Sequence, residues 1–504
     1  MTGSTESNDR NLAPKATRGA LVTLVGQAGR ICLQLLSIVV LARLLTPADF
    51  GLIAMATAFV GVGTILQDFG LSSAAIQSRE LTRNQRDALA WLNIVLGTVL
   101  TVGFYFSAPL VARAFDNSAL VPIVQWLSLV VLVSGASTQF RASLTREMHF
   151  GQLAVCDLIA PAVGLAAGVI GALVDFGPYA LVIQQLTTAA VGLVCVAVAC
   201  RWLPRIPSRH TKIRPFLTYG GNLFLSQLFD YASKNIDTVI IGARFSAAEV
   251  GVYDRAFKLL MVPVMQLNAP FTRVALPTLS RLQDDPDRFK NYLLRAQKLV
   301  SYFMVLVIAY CASQAVPLVD IFLGPQWDKS APILQILAVG GVFHIVWYGT
   351  MWVFLAKALT RGYLVFTVIA RAASIGLIFA GSTWGVIGVA IGYSAGFALQ
   401  WPLAVWWIRS VPGVSPRAML VNGGKIIGVT LVATVPGLVV STWWRPFSNL
   451  SNMIVGTACL LGLLALIVAA IPSVRADLQE LLGALRSAIH RRPSPPGGNA
   501  SGSE

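Results

Sequence analysis

Long apolar stretches separated by short polar connections recur along the chain from Leu21 to Ala470. Each exceeds about 18 residues, a length that suits a helix crossing membrane hydrocarbon better than a soluble core helix. The pattern predicts about fourteen transmembrane helices, and therefore an all-α polytopic membrane protein. Their expected bounds are 21–42, 51–77, 88–111, 120–140, 152–174, 177–200, 216–242, 257–280, 296–318, 331–355, 362–380, 384–407, 419–442 and 451–472.

The composition supports this interpretation. Of the 504 residues, 56% are hydrophobic and 12% charged, whereas a soluble domain carries roughly a quarter charged residues. The net charge of +16 could suggest nucleic acid as a partner, but cytoplasmic loops of membrane proteins are rich in lysine and arginine. We therefore expect membrane lipids and no nucleic acid as partners. The N-terminus has no small-residue cleavage site, so we expect no cleaved signal peptide.

The positions of the cations predict the orientation. With the N-terminus inside, the cytoplasmic connections contain basic clusters at 201–214, 281–298 and 475–492. The outer connections then hold only Arg43, Arg113, Arg244, Arg255, Lys329 and Arg445. The positive-inside rule and the even number of spans predict that both termini lie in the cytoplasm.

The two halves of the chain resemble each other. Residues 42–51, ARLLTPADFG, match 243–251, ARFSAAEVG, so that Thr46 and Asp49 correspond to Ser246 and Glu249. Further matches pair 122–127 with 332–337 and 176–177 with 384–385, at offsets of about 200 to 210 residues. Each copy contains six spans, an even number, which predicts two six-helix lobes related by a pseudo-two-fold axis along the membrane normal. Thr46 and Ser246 should each begin a capping box.

The domain organisation follows from this repeat. We expect a cytoplasmic tail at 1–17, an N-lobe at 18–203, a basic linker at 204–215, a C-lobe at 216–407, two extra spans in 419–472 and a cytoplasmic segment at 473–504. In the last segment, apolar residues share one helical face: Val474, Leu478, Leu481, Leu482, Leu485 and Ile489. This pattern fits an interfacial amphipathic helix or a short cytoplasmic helix without function. The final twelve residues should be disordered.

Polar residues within the spans are candidate site residues, because an ionisable group at membrane depth is costly. Their predominant charge is that of arginine, whose planar fork suits phosphate and carboxylate, so the predicted cavity prefers an anion. The candidate cavity residues are Gln27, Arg30 and Gln34 on one face of span one, Lys234 in span seven, Asn268 and Arg273 in span eight, and Arg371 in span eleven. Arg273 and Arg371 could instead be snorkelling or facing a helix interface. His344 is expected to pack rather than to relay protons.

Three carboxylates are candidates for ion coupling. Asp230, Lys234 and Asp237 lie at i, i+4 and i+7 of span seven, where they could form an ion-pair ladder that only makes the span tolerable, or could couple transport to protons or sodium. Asp68 lies near the cytoplasmic end of span two. We expect no metal site, disulfide or cofactor, because the cysteines lack metal-ligand spacing. They are Cys32, Cys156, Cys195, Cys200, Cys311 and Cys459.

Four segments carry a family resemblance: LARLLTPADFGLIAMA (41–56), LQDFGLSSAAIQ (66–77), KNIDTVIIGARFSAAEVGVYDRAFKL (234–259) and PTLSRLQDD (277–285). They resemble bacterial polysaccharide flippases of the Wzx type, in the multidrug/oligosaccharidyl-lipid/polysaccharide (MOP) exporter superfamily. The likeness is to its colanic-acid exporter or teichuronic-acid branch. It spans nearly the whole chain.

The resemblance implies a MATE-like V-shaped pair of six-helix lobes in the bacterial inner membrane, with alternating access to a cavity formed by spans one, two, seven and eight. It implies translocation of undecaprenyl-diphosphate-linked oligosaccharide units for exopolysaccharide, O-antigen or capsule synthesis, with a polymerase as a possible partner. Arg30, Arg273 and Lys234 are the substrate contacts that it suggests. Some relatives couple to sodium through spans seven and eleven, but this chain has Arg371 in span eleven, which puts sodium coupling in doubt.

Two other functions remain in view. A cation-coupled multidrug exporter could share the fold, although a cavity for cationic drugs should present carboxylates. An oligosaccharide polymerase or ligase would also have many spans. No connection here exceeds about twenty residues, so there is no external domain for enzymatic chemistry. Phosphate-loop and HExxH motifs are absent as well. We therefore expect a transporter and not an enzyme.

Overall fold

The computed structural model describes residues 12–78, 81–206, 214–442 and 449–490. All regular secondary structure in these ranges is helical and none of it is strand, which confirms the all-α prediction. Seventeen α-helices follow one another in the described part of the chain. They are α1 Leu12–Leu44, α2 Pro47–Asp68, α3 Leu71–Gln77, α4 Arg83–Ala114, α5 Leu120–Arg146, α6 Phe150–Leu173, α7 Pro178–Cys200, α8 Arg214–Arg244, α9 Ala247–Arg281, α10 Pro286–Ser313, α11 Ala315–Phe322, α12 Ser330–Ala356, α13 Thr360–Gly381, α14 Gly385–Trp407, α15 Pro416–Thr442, α16 Asn449–Ala470 and α17 Pro472–His490.

Twelve helical stretches among the described residues are long and apolar enough to cross a membrane. One of them, Thr360–Trp407, contains both α13 and α14, which are joined by the 3₁₀ turn Ser382–Trp384. Each predicted span coincides largely with a helix, but the count of fourteen crossings stays a prediction. The protein is a multi-pass membrane protein.

The helices differ from the predicted spans at several of their ends. The span predicted at 51–77 lies within one apolar stretch, Pro47–Gln77. This stretch is divided into α2 and α3, because Phe69 and Gly70 adopt left-handed backbone angles, with φ of 45° and 68°. The span predicted to begin at 257 begins ten residues earlier, at Ala247, where Ser246 and Glu249 cap the helix. The capping residues start the helix before its apolar stretch begins.

The described residues form two compact units. The first comprises those of Met1–Val262, Val319–Leu337 and Arg371–Gly396, and the second those of Pro263–Leu318, Ala338–Ala370 and Phe397–Glu504. The predicted lobes and tails are a different division of the chain, and they stay a prediction.

In the first unit, α4 packs on α5, α6 on α7, and α1 on α6, while α2 lies against α5 and α8. The α6–α7 contact is close because glycines face it. A β-carbon at Gly168 would lie 2.9 Å from the β-carbon of Gln184, and one at Gly171 would lie 3.2 Å from the α-carbon of Ala180. Small residues of this kind let membrane helices approach closely. This packing fixes α7 beside α1.

The starts of α2 and α9 meet in the first unit. At the start of α2, the Asp49 carboxylate accepts a hydrogen bond from the Thr46 N–H (2.9 Å), and Glu249 likewise accepts from the Ser246 N–H (3.1 Å). Both predicted capping boxes are thus confirmed. A β-carbon on Gly51 would lie 1.7 Å from the carbonyl oxygen of Ala247, and one on Gly251 would lie 1.8 Å from that of Pro47. The contact is reciprocal, as a two-fold relation between the repeats requires.

The C-terminal end of α1 is covered by residues 321–327 of the same unit. The indole N–H of Trp327 donates to the carbonyl of Ala42 (2.9 Å), and the amide of Gln326 donates to the carbonyls of Ala42 (2.6 Å) and Leu45 (3.0 Å). Arg43 donates to the Ile321 carbonyl. These bonds satisfy carbonyls that a helix end leaves without partners.

In the second unit, α10 packs on α15 and α15 on α16. Gly437 and Gly456 surround the buried side chain of Gln314, since a β-carbon on Gly456 would lie 2.2 Å from its amide nitrogen. The helix α17 begins at Pro472, directly after α16, and is tied to α10 and α15 by ion pairs.

Candidate functional site

The first unit contains a cavity of about 600 Å³, a size within the range of ligand sites. Its polar lining comes from helices α1, α2, α5, α7 and α9. These residues are Arg30, Gln34, Ser37, Thr57, Ser134, Gln184, Gln185, Thr188, Arg255 and Lys258. No carboxylate is among the lining residues that the structure describes. Polar groups in membrane-spanning helices are expensive unless they serve a ligand or one another.

The cationic side of the cavity is built on α9. Asp254 accepts hydrogen bonds from the Arg255 guanidinium (2.6 and 3.1 Å) and forms an ion pair with the Lys258 ammonium (2.9 Å). The Arg255 guanidinium also lies 4.3 Å from the ring centroid of Phe50, a cation–π distance. Asp254 and Arg255 are nearly buried, whereas 42% of the Lys258 side chain is exposed.

The charges leave the cavity positive. Asp254 offsets one of the two α9 cations, and Arg30 on α1 adds a further charge, so the side chains together supply two positive charges that no lining carboxylate balances. In a low-dielectric setting such an excess attracts anions strongly. The charge of the lining therefore favours an anionic ligand.

A second wall of the cavity is neutral and polar, and α7 contributes Gln184, Gln185 and Thr188 to it. The Gln184 amide donates to the Ser37 hydroxyl (2.7 Å), which ties α7 to α1, and the Thr188 hydroxyl donates to the Gln184 carbonyl (2.7 Å). Gln34 and Gln185 line the cavity next to them. Amides and hydroxyls both donate and accept hydrogen bonds, so this wall suits a ligand rich in hydroxyl groups.

The cavity brings together two of the predicted site residues, Arg30 and Gln34. Gln27, Lys234 and Arg371 belong to the same unit but do not line it. Their predicted roles stay predictions.

Asn268 and Arg273 belong to the second unit. There the Asn268 side-chain oxygen lies 3.5 Å from the Thr272 hydroxyl, and Arg273 is exposed. Nothing in the geometry of that unit tests whether they contact substrate, so this too stays a prediction.

Two of the three predicted coupling carboxylates have hydrogen-bond partners within the protein. Asp237 is buried and accepts hydrogen bonds from the Tyr253 hydroxyl and the Thr238 N–H, both at 2.8 Å. Asp68, the last residue of α2, accepts hydrogen bonds from the N–H (3.1 Å) and the hydroxyl (2.8 Å) of Ser72 in α3. The side chain of Asp230 lies outside the described residues. Coupling to protons or sodium stays a prediction.

Arg255, Lys258 and the polar wall of α7 are not among the site residues predicted from the sequence. The predicted span begins at 257, which places Arg255 in an outer connection. The sequence did hold a signal, since Asp254 and Lys258 are four residues apart and pair on a helix. Gln184 and Thr188 show the same spacing in an otherwise apolar span. Among the described residues, no group of three or more His, Cys, Asp or Glu side chains could hold a metal.

The chain is similar to proteins of polysaccharide biosynthesis. The family model described as "Polysaccharide biosynthesis protein" matches residues 40–332, more than half of the chain. The chain is 27% identical to the lipopolysaccharide biosynthesis protein WzxC of Escherichia coli K12 over 86% of its own length and 88% of that protein. It is 26% identical to the teichuronic acid biosynthesis protein TuaB of Bacillus subtilis over 58% and 61% of the two lengths. It is 22% identical to the succinoglycan biosynthesis transport protein ExoT of Rhizobium meliloti over 65% and 66%.

The fold is that of known transporters. The structure of the lipid II flippase MurJ in an inward closed conformation matches with a TM-score of 0.69 and 15% identity, covering 89% of this chain and 99% of that one. An inward-facing multidrug resistance MATE transporter of the MOP superfamily matches with a TM-score of 0.59 and 13% identity, covering 82% and 99%. At these identities the likeness shows the fold alone. The chain belongs to the polysaccharide biosynthesis protein family, as a Wzx-type membrane transporter and not an enzyme.

Proposed function

We propose that this protein translocates oligosaccharide units linked to undecaprenyl diphosphate from the inner to the outer leaflet of the bacterial inner membrane. The units would then enter exopolysaccharide, O-antigen or capsule synthesis, where a polysaccharide polymerase is the partner that takes them up. Both termini lie in the cytoplasm in this proposal, as the distribution of cations predicts.

The observation that carries the proposal is the charge of the cavity. A diphosphate that links a lipid to a sugar has two negative charges, which the two positive charges left by Arg30 and the α9 cations would balance. The neutral wall of α7 offers hydrogen bonds for the sugar hydroxyls beside it. A cationic drug would meet two like charges in the same place, which disfavours drug export.

The proposed mechanism is alternating access. The reciprocal contact of Gly51 and Gly251 lies at the predicted outer end of α2 and α9, next to the covered end of α1. Together these contacts support a state that is closed at the outer end of the first unit. Translocation would require the α2–α9 contact to open after the head group has entered from the inside.

The test is translocation by purified protein in proteoliposomes. Undecaprenyl-diphosphate-linked glycan with a fluorescent label is placed in both leaflets, and the fraction that an external reagent can reach is followed over time. We expect protein-dependent translocation, which slows in Arg30→Gln and Lys258→Gln but not in Arg361→Gln, an exposed arginine of the second unit. Transport of a cationic dye without movement of the glycan would replace this function by drug export.

A further inference from the structure

The second unit contains another cavity, which we call the inner groove. It measures about 670 Å³ and lies where the N-terminal turns of α10 and α15 meet α17. Its polar lining includes Arg288, Asn291, Arg295, Lys298 and Asn422. None of these residues belongs to the cavity of the first unit, so the groove is a separate site.

The inner groove has more positive than negative charge. Three cations line it, and Glu480 is the one acidic residue among its described lining residues. Glu480 pairs with Arg295 (2.6 Å) and Lys298 (3.3 Å), and Lys298 also pairs with Asp477 outside the lining (2.8 Å). Arg288 has only an exposed contact with Asp285 at 3.4 Å, and surface pairs of this kind contribute little. The Arg288 guanidinium is therefore available for an anion.

The rest of the lining is suited to a lipid head group. The amides of Asn291 and Asn422 can bond to hydroxyl or ester oxygens, and Leu282, Leu294 and Ala418 provide apolar surface in the same groove. A soluble phosphate compound would gain nothing from that apolar surface. The combination of a phosphate-binding cation, neutral amides and an apolar floor matches a glycerophospholipid at the point where its head group joins its acyl chains.

The position of the groove along the helices also favours a lipid head group. It is formed by the ends of membrane helices on the side that the cation distribution predicts to be cytoplasmic. The helix α17, which borders it, follows a membrane-spanning helix directly and has the pattern of an interfacial helix. Basic pockets between helices on this side are suited to anionic lipids.

We propose that the inner groove binds the head group of an anionic phospholipid of the cytoplasmic leaflet, with the phosphate against Arg288 and Arg295. Glu480 is a competing carboxylate in this arrangement. Its carboxylate engages some of the N–H groups of Arg295 and Lys298, and so keeps the affinity for the lipid moderate.

The experiment is native mass spectrometry of the full-length protein in detergent, titrated with phosphatidylglycerol or phosphatidylcholine. We expect phosphatidylglycerol to bind in preference, and the preference to fall about fivefold in Arg288→Gln, as the loss of one basic contact predicts. Arg361→Gln should leave it unchanged. Glu480→Gln should strengthen the binding, because it releases Arg295, while Lys298 keeps its ion pair with Asp477.

Glu480→Gln separates two roles of Glu480, competition with the lipid for the cations and positioning of α17. If Glu480 acted only by holding α17 in place, its replacement would weaken the site instead. Weaker binding in Glu480→Gln, or equal binding of the two lipids, would overturn the proposal. A soluble phosphate compound could bind the same cations, and added inorganic phosphate tests this alternative. Full displacement of the lipid at millimolar phosphate would assign the groove to a soluble phosphate compound. None of these results depends on translocation of the glycan.

Discussion

The contact between Gly51 and Gly251 makes a specific prediction about Gly51→Ala. The added β-carbon would lie 1.7 Å from the backbone oxygen of Ala247, whereas a carbon and an oxygen atom ordinarily approach no closer than about 3.3 Å. Because the obstacle is backbone, no change of rotamer can relieve the clash. The starts of α2 and α9 must move apart by about 1.5 Å.

The energetic cost follows from overpacking, which typically amounts to about 1 to 3 kcal/mol. If the contact is present in the outward-closed state only, the variant shifts the equilibrium towards opening by about fivefold to 150-fold. Thermal unfolding in detergent should show a lower midpoint. Spin labels near the starts of α2 and α9 should show a longer distance between them.

Two controls sharpen this test. A β-carbon added to Gly103 of α4 would meet no atom within 4 Å, so Gly103→Ala should be neutral or slightly stabilising, since alanine favours a helix. Gly251→Ala should reproduce the effect of Gly51→Ala, and the double variant should cost less than the sum, because one separation relieves both clashes. An unchanged label distance in Gly51→Ala, or full additivity in the double variant, would refute this reasoning.

Three other changes have defined outcomes. Asp254→Asn removes the partner of the nearly buried Arg255, which should cost about 3 to 5 kcal/mol and lower the unfolding midpoint far more than Asp285→Asn, a change at an exposed site. Gln184→Leu should slow glycan translocation while leaving the unfolding midpoint within a few degrees, because it keeps the volume and removes hydrogen bonds of the polar wall. Acidification should release α17 from its ion pairs. Burial raises the pKa of Asp477, but the hydrogen bonds from Lys298 and Lys425 outweigh the effect of burial. The pKa of Asp477 is therefore lowered from its usual value. The stabilisation by Asp477 is therefore present above the ordinary carboxyl pKa and is lost as the pH falls through the lowered pKa of Asp477. Protease cleavage within α17 should increase at that low pH. Asp477→Asn should be cleaved readily at neutral pH.

Local sequence signals predicted much of the fold. Apolar length identified the helices, and the spacing of Thr46 to Asp49 and Ser246 to Glu249 identified their starts, because capping depends on residues that are neighbours in the chain. The break at Phe69 was not predictable in the same way. A phenylalanine adopts left-handed backbone angles only where its surroundings hold it there. Counting apolar residues along the sequence gives no information on such angles.

The site was predicted less completely. Arg30 and Gln34 were found because they share a face of one helix. Arg255 was not predicted, because its position in the helix depends on contacts with residues that the hydropathy pattern does not identify. Its guanidinium packs on Phe50 and pairs with Asp254, and these contacts stabilise its charge within the helix. Which side of α7 faces the cavity depends on its packing against α6, and the sequence of α7 alone does not contain that information.

The central claim is that the head group of the lipid-linked glycan enters the cavity of the first unit. The most direct measurement is the rate at which a water-soluble maleimide labels Ser37→Cys in a Cys32→Ser background, with and without undecaprenyl-diphosphate-linked glycan. Ile206→Cys, an exposed position outside the cavity, is the control. The proposed function predicts that the glycan lipid protects Ser37→Cys and leaves Ile206→Cys unaffected. Undiminished labelling of Ser37→Cys by a protein that still translocates the glycan would contradict it.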